Sequence, residues 1–138
     1  MKKCRVSEIT AYFSADVETV WNIVTDNRDY KWRSDISKIE VFDDGSTFIE
    51  YNKDGNSTKF TVTEKTKNKL YKFNMENKFF YGNWQGEFFE ENEKTKIVFI
   101  ENIYVKNPII KVLSYLFMNL KKIQIQYVED LKRKLNEM

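Results

Sequence analysis

The sequence predicts an α+β fold with a consecutive antiparallel sheet of about seven strands and a long closing helix. Two observations lead to this prediction. Between residues 36 and 106, apolar residues recur at every second position in short segments separated by turn residues. From residue 107 the apolar spacing changes to three and four residues, which is the period of a helix. The predicted order is one strand, two short helices, six strands and one helix.

The N-terminal part is predicted to form a strand followed by helical segments. The strand covers Cys4–Phe13, with Ile9, Ala11 and Phe13 on one side and Val6 and Tyr12 on the other. Ser14 or Asp16 then caps a short helix. The apolar stripe of this helix consists of Val17, Val20, Trp21 and Val24. Residues 28–33, which include Trp32, are interpreted as a second short helix or a turn.

Six further strands follow from the period of two. They are predicted at 36–42, 47–52, 57–64, 70–76, 83–90 and 96–106. Asp44-Gly45 and Asp54-Gly55 are strong hairpin signals, because both pairs supply the positive φ angles that tight hairpin turns require. Lys67-Asn68 and Asn92-Glu93 are weaker signals of the same kind. The connections are therefore expected to be short.

Two-residue turns would also fix which residues face each other. The expected pairs are Tyr51 with Thr58, Ile49 with Phe60, Thr47 with Val62, Val62 with Phe73, Phe60 with Met75, and Tyr71, Phe73 and Met75 with Phe88, Gly86 and Trp84. These pairs put the apolar side chains on one face of the sheet and the polar ones on the other. The register of 96–106 stays open, but either Glu101 or Asn102 is expected to point inward.

The stretch 107–138 is predicted to form one long helix, with Asn107 as the N-cap and Pro108 in the first turn. One face carries Ile109, Leu113, Leu116, Leu120, Ile123, Tyr127, Leu131 and Leu135. The first half is also apolar elsewhere, at Ile110, Val112, Tyr115, Phe117 and Met118. A helix that is apolar on two sides is buried on both, faces a cavity, or contacts a partner or a membrane.

Composition narrows the classes of function. The 138 residues, 41% of them hydrophobic, fit one domain over 1–138 with a core of its own. The net charge of +2 is interspersed, so no nucleic-acid partner is expected, and the basic run 132–134 is interpreted as a solvated helix end. Cys4 is the single cysteine, which suits a reducing, cytoplasmic location. The apolar run 109–120 is shorter than the roughly 20 residues of a membrane span.

The sequence contains no histidine, which removes serine–histidine and cysteine–histidine catalytic systems and two-histidine zinc sites. It also has no glycine-rich phosphate loop. No metal and no cofactor are expected, and Cys4 is interpreted as a bystander. The candidate catalytic residues are Glu101 and Asn102, because a buried carboxyl group can act as a base and either residue can orient a ligand carbonyl. The alternative is that Glu101 faces solvent.

The segment 11–26, followed by Trp32, resembles the opening signature of the START-like superfamily, which includes polyketide cyclases, coenzyme Q-binding proteins and birch-pollen allergens. In that family a strand runs into a corner, then into a helix bearing Val-Trp, which is Val20-Trp21 here. Ser14-Ala15-Asp16 replaces the usual proline corner. The resemblance covers essentially the whole chain by element order, but only 13–32 by motif.

The resemblance implies a helix-grip fold, in which a curved sheet wraps around the C-terminal helix and encloses a cavity for a lipid, polyketide, sterol, quinone or similar molecule. An apolar sheet face and a doubly apolar helix agree with such a cavity. The residues expected to contact the ligand are Trp32, Tyr51, Phe60, Phe73, Met75, Trp84, Phe88, Leu113, Phe117 and Leu120. Each of them is also credible as an ordinary core residue.

Three hypotheses of function follow. The first is the binding or transport of a small hydrophobic ligand, which requires an interior that side chains do not fill. The second is a polyketide cyclase or dehydratase, which requires a buried ionisable group beside the cavity. The third is a module that contacts a protein or the surface of a membrane through 109–118, which requires exposed Ile110, Phe117 or Met118. The protein is expected to be a monomer or a weak dimer.

Overall fold

The computed structural model describes residues 4–106 and 110–137, with side chains for 5–106 and 120–137. Its elements are β1 (Cys4–Phe13), α1 (Val17–Thr25), β2 (Ile36–Phe42), a short 3₁₀ turn (Asp43–Gly45), β3 (Thr47–Asn52), β4 (Ser57–Thr66), β5 (Leu70–Glu76), β6 (Phe80–Glu91), β7 (Lys94–Val105) and α2 (Ile110–Lys134). The strands form one sheet in the order β1-β7-β6-β5-β4-β3-β2, and every neighbouring pair is antiparallel. The predicted α+β fold with seven strands is confirmed.

Helix α1 forms where its apolar stripe predicts it. Asp16 caps the helix, because its carboxylate accepts the backbone N–H of Thr19 at 2.8 Å. The stripe Val17, Val20, Trp21 and Val24 is buried. The ring of Trp21 packs edge-on against Phe88 of β6, with 4.9 Å between ring centroids. This contact fixes α1 on the sheet.

Residues 28–33 form turns, which is one of the two predicted alternatives, so the order of elements has one short helix here and not two. One hydrogen bond, from the N–H of Arg33 to the carbonyl of Tyr30 at 3.0 Å, closes a single turn. The next N–H, that of Ser34, donates to the carboxylate of Asp130 on α2 at 2.8 Å. The backbone is therefore drawn toward α2 instead of continuing along a helix axis of its own.

The loop of the β3–β4 hairpin contains three residues, 53–55, between the hydrogen-bonded Asn52 and Asn56, where the sequence predicted a two-residue turn. The N–H of Asn52 donates to the carbonyl of Asn56 at 2.9 Å, which closes the three-residue loop. Gly55 has a φ of +83°, a conformation that glycine adopts without strain. The side-chain oxygen of Asn52 accepts the N–H groups of Asp54 and Asn56, both at 3.0 Å. The extra loop residue shifts the register by one.

This shift exchanges the two faces of β3. Phe48 pairs with Phe60, and their rings stack at 4.8 Å. The predicted pairs Tyr51 with Thr58, Ile49 with Phe60 and Thr47 with Val62 are wrong. The inner face of β3 instead presents Phe48 and Glu50.

The predicted pairs between β4 and β5 are confirmed, although their turn is longer than expected. Phe60 pairs with Met75, and Val62 pairs with Phe73. The connection has three residues, 67–69. A β-bulge directly after Val62 compensates for the extra turn residue. On the side of the bulge away from the turn, the strands therefore pair as they would with a two-residue turn.

Strand β6 begins three residues earlier than predicted, because Asn77 makes a tight turn. Its side-chain oxygen accepts the backbone N–H groups two and three positions later, at 2.8 and 2.9 Å. Phe73 consequently pairs with Trp84 and not with Gly86. The predicted register is wrong by two residues, and a shift of two leaves each side chain on its predicted face.

The register of β7, which the sequence left open, is set by the turn at Asn92-Glu93. Both residues have positive φ angles, 53° and 67°, as primed hairpin turns require. The inner face of β7 carries Ile97, Phe99, Glu101 and Ile103, which pair with Phe88, Gly86, Trp84 and Gly82 of β6. Of the two candidates in this strand, Glu101 points inward and Asn102 points outward.

Helix α2 lies against the inner face of the sheet. The predicted cap residues Asn107 and Pro108 lie outside the described residues. Gln124 connects the helix to β1, because it accepts the hydroxyl of Ser7 at 2.6 Å and donates to the Ser7 carbonyl at 3.1 Å. Within the described part of the chain, no helix is long and apolar enough to span a membrane.

Asp130 ties α2 to the segment before β2. Its side chain is fully buried and accepts the N–H and the hydroxyl of Ser34, each at 2.8 Å. Gln126 and Arg133 donate to the same carboxylate at 2.9 and 2.6 Å. Burial opposes the charge of the carboxylate, but these donors outweigh it and hold the pKa of Asp130 below its usual value.

The core forms two packed clusters rather than one. The first lies between α1, one end of the sheet and the C-terminal half of α2, and it includes Trp21, Phe88 and Leu131. The second lies at the other end of the sheet, and its members are Ile36, Ile39, Phe48, Phe60, Met75, Ile103 and Leu120. Phe73 and Trp84 contact both clusters and yet stay only partly buried. The space that leaves these rings partly open is the candidate site.

Candidate functional site

A cavity of about 670 Å³ lies between the inner face of the sheet and α2. Its apolar wall consists of Val24, Ile36, Phe48, Phe60, Tyr71, Phe73, Met75, Phe80, Trp84, Phe99, Ile103, Leu120 and Ile123. At one end it is bordered by the β3–β4 and β5–β6 hairpins, where Asp54, Asn56 and Phe79 are exposed. The cavity therefore opens to solvent between the two hairpins.

Two aromatic rings form the middle of this wall. Phe73 and Trp84 stack face to face, with 4.8 Å between centroids and 3° between planes. Phe60 meets Phe73 edge-on at 5.1 Å. These contacts come from the observed β4–β5–β6 register, which brings the three rings onto neighbouring strands. The stacked pair gives the cavity a rigid apolar wall.

The structure places the sequence-predicted contact residues in three groups. Five of them line the cavity: Phe60, Phe73, Met75, Trp84 and Leu120. Leu113 and Phe117 belong to α2, but their side chains lie outside the described residues. Trp32, Tyr51 and Phe88 lie elsewhere in the described structure.

Tyr51 is on the outer face of the sheet, which contradicts its predicted place in the cavity. Its hydroxyl donates to the carboxylate of Glu40 on β2, and its ring lies 4.9 Å from the ammonium of Lys38. The cause is the one-residue shift of β3, which turned Tyr51 outward and Glu50 inward.

Trp32 and Phe88 are packing residues behind the cavity wall. Trp32 contacts the ring of Tyr127 edge-on at 5.3 Å, so it supports a lining residue without lining the cavity itself. Phe88 is 4% exposed and fills the core beneath α1. The predicted register placed Phe88 opposite Tyr71. In the observed register Gly86 pairs with Tyr71, and Phe88 lies two residues farther along β6.

A group of charged side chains occupies one part of the cavity wall. The guanidinium of Arg33 donates through Nη1 to Glu50 and through Nη2 to Asp35, both at 3.0 Å. The same guanidinium lies 4.9 Å above the ring of Tyr127. Burial opposes the positive charge, but the two carboxylates outweigh it and raise the pKa of Arg33. Arg33 is a fixed cation already engaged by two anions.

Glu101 faces this group from β7. Burial raises the pKa of Glu101 to about 7, and the carboxylate of Glu50 adds to the rise while Arg33 opposes it. A carboxyl group with such a pKa exchanges its proton near neutral pH, as general acids and bases do. Asn102, the other candidate, lies on the outer face, where its amide donates to Asn83 at 2.8 Å. Of the two residues, only Glu101 can act in the cavity.

Two tyrosines complete the polar part of the wall. Burial raises the pKa of Tyr127 and, to a lesser extent, that of Tyr71. The hydroxyl of Tyr71 accepts the side-chain amide of Asn27 at 3.1 Å. Both phenols therefore stay protonated at neutral pH.

Sequence reasoning missed Arg33, Asp35 and Glu50. Arg33 and Asp35 lie in a segment whose turns the sequence did not resolve, and Glu50 was assigned to the wrong face of β3. No spacing in the sequence links Arg33 to Glu50, since 17 residues separate them. A signal existed only for Glu101, as a charged residue within an apolar strand.

Two buried polar atoms of this group have no hydrogen-bond partner: Nε of Arg33 and Oδ1 of Asp35. Unpaired buried polar atoms are uncommon and costly, so they call for a partner that a ligand or water can supply. Within the described residues, no three side chains are arranged to hold a metal ion. The arrangement suits the binding of an apolar molecule with a polar end, and proton transfer at Glu101.

Solved structures with the same architecture include the Zhui aromatase/cyclase from a Streptomyces species, with a TM-score of 0.82 and 10% sequence identity over 94% of this chain and 92% of that one. Norcoclaurine synthase from Thalictrum flavum has a TM-score of 0.74 and 12% identity over 99% of this chain and 88% of that one. A START superfamily protein from Mycobacterium smegmatis has a TM-score of 0.70 and 17% identity over 94% and 93%. The protein has the START-like helix-grip fold.

The START-like fold is shared without detectable similarity in sequence. No sequence model of a protein family and no curated protein sequence matches the chain. The identities to the solved START-like structures are 17% or lower in these three cases, so the similarity establishes the architecture and not an activity. Function has to be argued from the side chains of this chain's own cavity.

Proposed function

We propose that the protein binds or transports a small hydrophobic ligand, such as a lipid, polyketide or quinone-like molecule, in the cavity between the sheet and α2. The observation that carries the proposal is the cavity of about 670 Å³ with an aromatic wall and a localised polar group. Small-molecule sites are typically apolar clefts of roughly 300–1,000 Å³ with a few convergent polar groups. The cavity has the size and the chemistry of such a site.

The partial exposure of Phe73 and Trp84 supports this proposal. Rings at the centre of a sheet face are usually covered by other side chains, whereas these two border open space. A ligand placed on the stacked rings would remove apolar surface from water, at a gain of about 25 cal/mol for each Å² buried. The same rings give a readout, since the fluorescence of Trp84 would respond to a ligand beside its ring.

Ligand binding can be tested with the neutral dye Nile red, titrated into the purified protein while its emission is followed. Native mass spectrometry of the same preparation would detect a molecule that co-purifies. The decisive variant is Thr58→Trp. Thr58 lies on β4 at the cavity wall, so a bulky ring there narrows the cavity. We expect the affinity for Nile red to fall at least tenfold.

The matched control is Thr61→Trp, which adds the same ring three positions later on the same strand. Thr61 is exposed on the outer face, away from the cavity. This variant should bind the dye as the natural protein does. Equal loss of binding in both variants, or no binding by the natural protein, would refute the proposal.

A polyketide cyclase or dehydratase activity is the second candidate, and Glu101 is the observation that favours it. This hypothesis requires an ionisable group beside the cavity, and Glu101 supplies one with a pKa near 7. Its carboxylate would take a proton from a carbon next to a substrate carbonyl and return it to the oxygen of the departing group. Turnover of a polyketide substrate that survives Glu101→Gln unchanged would eliminate this candidate.

Contact with a protein or a membrane surface through 109–118 stays a prediction. Ile110, Phe117 and Met118, on which it depends, have side chains outside the described residues. Co-sedimentation with phospholipid vesicles tests it directly. Vesicle binding that is lost in Phe117→Ser and retained in an exposed-residue control, Phe89→Ser, would support it.

A further inference from the structure

The charged residues that line the cavity are mostly acidic. Four carboxyl groups, those of Asp35, Glu50, Asp54 and Glu101, and a single cation, Arg33, are present among its described lining residues. The whole chain has a net charge of +2, so this excess of carboxyl groups is a local property of the cavity. Field lines are concentrated in a cleft with apolar walls, which strengthens the effect of these charges on a ligand.

Arg33 is poorly placed to receive an anionic ligand. Both of its terminal nitrogens are engaged, Nη1 by Glu50 and Nη2 by Asp35. A ligand carboxylate would have to displace one of these partners or approach Nε with two carboxylates close by. Either course places like charges together in a site of low dielectric constant, which is strongly unfavourable. The cavity therefore selects against fatty acids and similar anions.

The polar groups of this wall that lack a partner within residues 5–106 and 120–137 are one donor, Nε of Arg33, and two acceptors, Oδ1 of Asp35 and the carboxyl group of Glu101. Oδ1 of Asp35 is buried without a donor. Glu101 receives no hydrogen bond from residues 5–106 or 120–137, and its carboxyl group lies close enough to Glu50 for the two to repel each other when ionised. A positively charged donor that enters between Glu50 and Glu101 would remove the repulsion between their two carboxylates.

From these contacts, and resting on the proposed ligand-binding function, we propose that the ligand is an amphiphilic amine. Its apolar body lies on the stacked rings of Phe73 and Trp84, and its protonated nitrogen is directed at the carboxylates of Glu101 and Glu50. The apolar wall and the acidic group belong to one continuous cavity, so a single molecule can contact both.

Proton linkage follows from this arrangement. The charged groups that act on Glu101 are Glu50 from β3 and Arg33 from the segment before β2, and Asp35, Tyr71 and Tyr127 line the same cavity. Both tyrosines keep their protons and Arg33 keeps its charge across the neutral range. Glu101, with a pKa of about 7, would change charge between about pH 6 and about pH 8.

An ammonium group pairs with ionised Glu101 and not with the protonated form. The ionised fraction rises from roughly one tenth at about pH 6 to roughly nine tenths at about pH 8. Simple alkylamines stay protonated over this range, because their pKa is near that of lysine, about 10.4. The affinity for an amine should therefore increase about tenfold between these two pH values.

The test compares three probes with one apolar body: naphthylethylamine, naphthylethanol and naphthylpropionate. Binding to the purified protein is measured by isothermal titration calorimetry at about pH 6 and about pH 8. We expect the amine to bind most tightly and the carboxylate least tightly at the higher pH. Only the amine should gain affinity about tenfold as the pH rises.

Glu101→Gln should remove the pH dependence of amine binding. The control is Glu90→Gln, which neutralises an exposed carboxyl group on β6. That variant should keep both the preference for the amine and the pH dependence.

The possible results separate this inference from the proposed function. If the carboxylate binds as tightly as the amine, or if the affinity for the amine does not change with pH, the assignment of an amine is wrong while binding of hydrophobic ligands stands. If none of the three probes and no neutral dye binds, both proposals fail. Loss of alcohol binding in Glu101→Gln would indicate a structural defect in that variant. Glu101→Asp, which retains the carboxyl group, then replaces it as the test. If Glu101→Asp does not show the pH-dependent preference for the amine, the inference is overturned.

Discussion

Replacing Glu101 with glutamine should make the protein more stable at alkaline pH. The carboxyl group faces an apolar cavity beside Glu50, and burial raises its pKa from 4.5 to about 7. The folded protein therefore binds this proton more tightly than the unfolded chain does. The stability that this tighter proton binding contributes is fully present below about pH 4.5 and is lost as the pH rises through about 7. Glutamine has nearly the same shape and no charge to bury.

The size of the effect follows from the displacement of the pKa. One pKa unit corresponds to about 1.4 kcal/mol, so the shift from 4.5 to about 7 costs the folded protein at most about 3 kcal/mol above neutral pH. Between about pH 5 and about pH 8 the same shift predicts a loss of roughly 2.5 kcal/mol. Water that enters the cavity solvates the carboxylate and makes the measured value smaller.

The measurement is the free energy of unfolding in urea for the natural protein and for Glu101→Gln, at several pH values from about 5 to about 8. The two proteins should have similar free energies of unfolding at the lowest pH. At the highest pH the free energy of unfolding of the variant should exceed that of the natural protein by about 2 kcal/mol. Glu90→Gln, which changes an exposed carboxyl group, should follow the natural protein throughout. A difference between Glu101→Gln and the natural protein that stays constant with pH would refute the burial argument.

Three further substitutions test the packing around the site. Asp130→Ala should lower the free energy of unfolding by about 2–3 kcal/mol, since it leaves several partly buried donors unpaired; a loss below about 1 kcal/mol in urea unfolding would contradict the assigned hydrogen bonds. Gly82→Ala should destabilise by more than about 2 kcal/mol, because a Cβ at this position overlaps the carbonyl oxygen of Asn102; an unchanged thermal midpoint would contradict the close approach of β6 and β7. Gly86→Ala places a Cβ against the ring of Trp84, so we expect altered tryptophan fluorescence and weaker binding of Nile red, and a natural spectrum with natural affinity would argue against that contact.

The sequence was sufficient for the elements because their signals are local. The period of two and the turn residues located all seven strands, and the cap at Asp16 with its apolar stripe located α1. The pairing of Val62 with Phe73 was also predictable, since the bulge in β4 compensated for the longer turn. The longer turn and the bulge shift the register in opposite senses, so the pairs predicted from a two-residue turn are the observed ones.

Registers failed where side-chain hydrogen bonds inside the loops decided the loop length. The side chain of Asn52 organises a three-residue loop and that of Asn77 a tight turn, and neither outcome follows from the presence of Gly or Asn alone. The error in β3 had the larger consequence. A shift of one residue exchanged Tyr51 for Glu50 in the cavity, whereas the shift of two in β6 only moved the rings along their own face.

The sequence by itself determined the fold class, the aromatic inner face and the absence of histidine chemistry, because periodicity and composition are properties of short stretches or of the whole chain. Only the tertiary structure decided that Arg33, Asp35, Glu50 and Glu101 share one wall of the cavity. Arg33 and Asp35 come from the segment before β2, Glu50 from β3 and Glu101 from β7. The pKa values of Arg33 and Glu101 depend on the distances between these groups in an interior of low dielectric constant. Such distances are set by strand register and by the docking of α2, which no local pattern encodes.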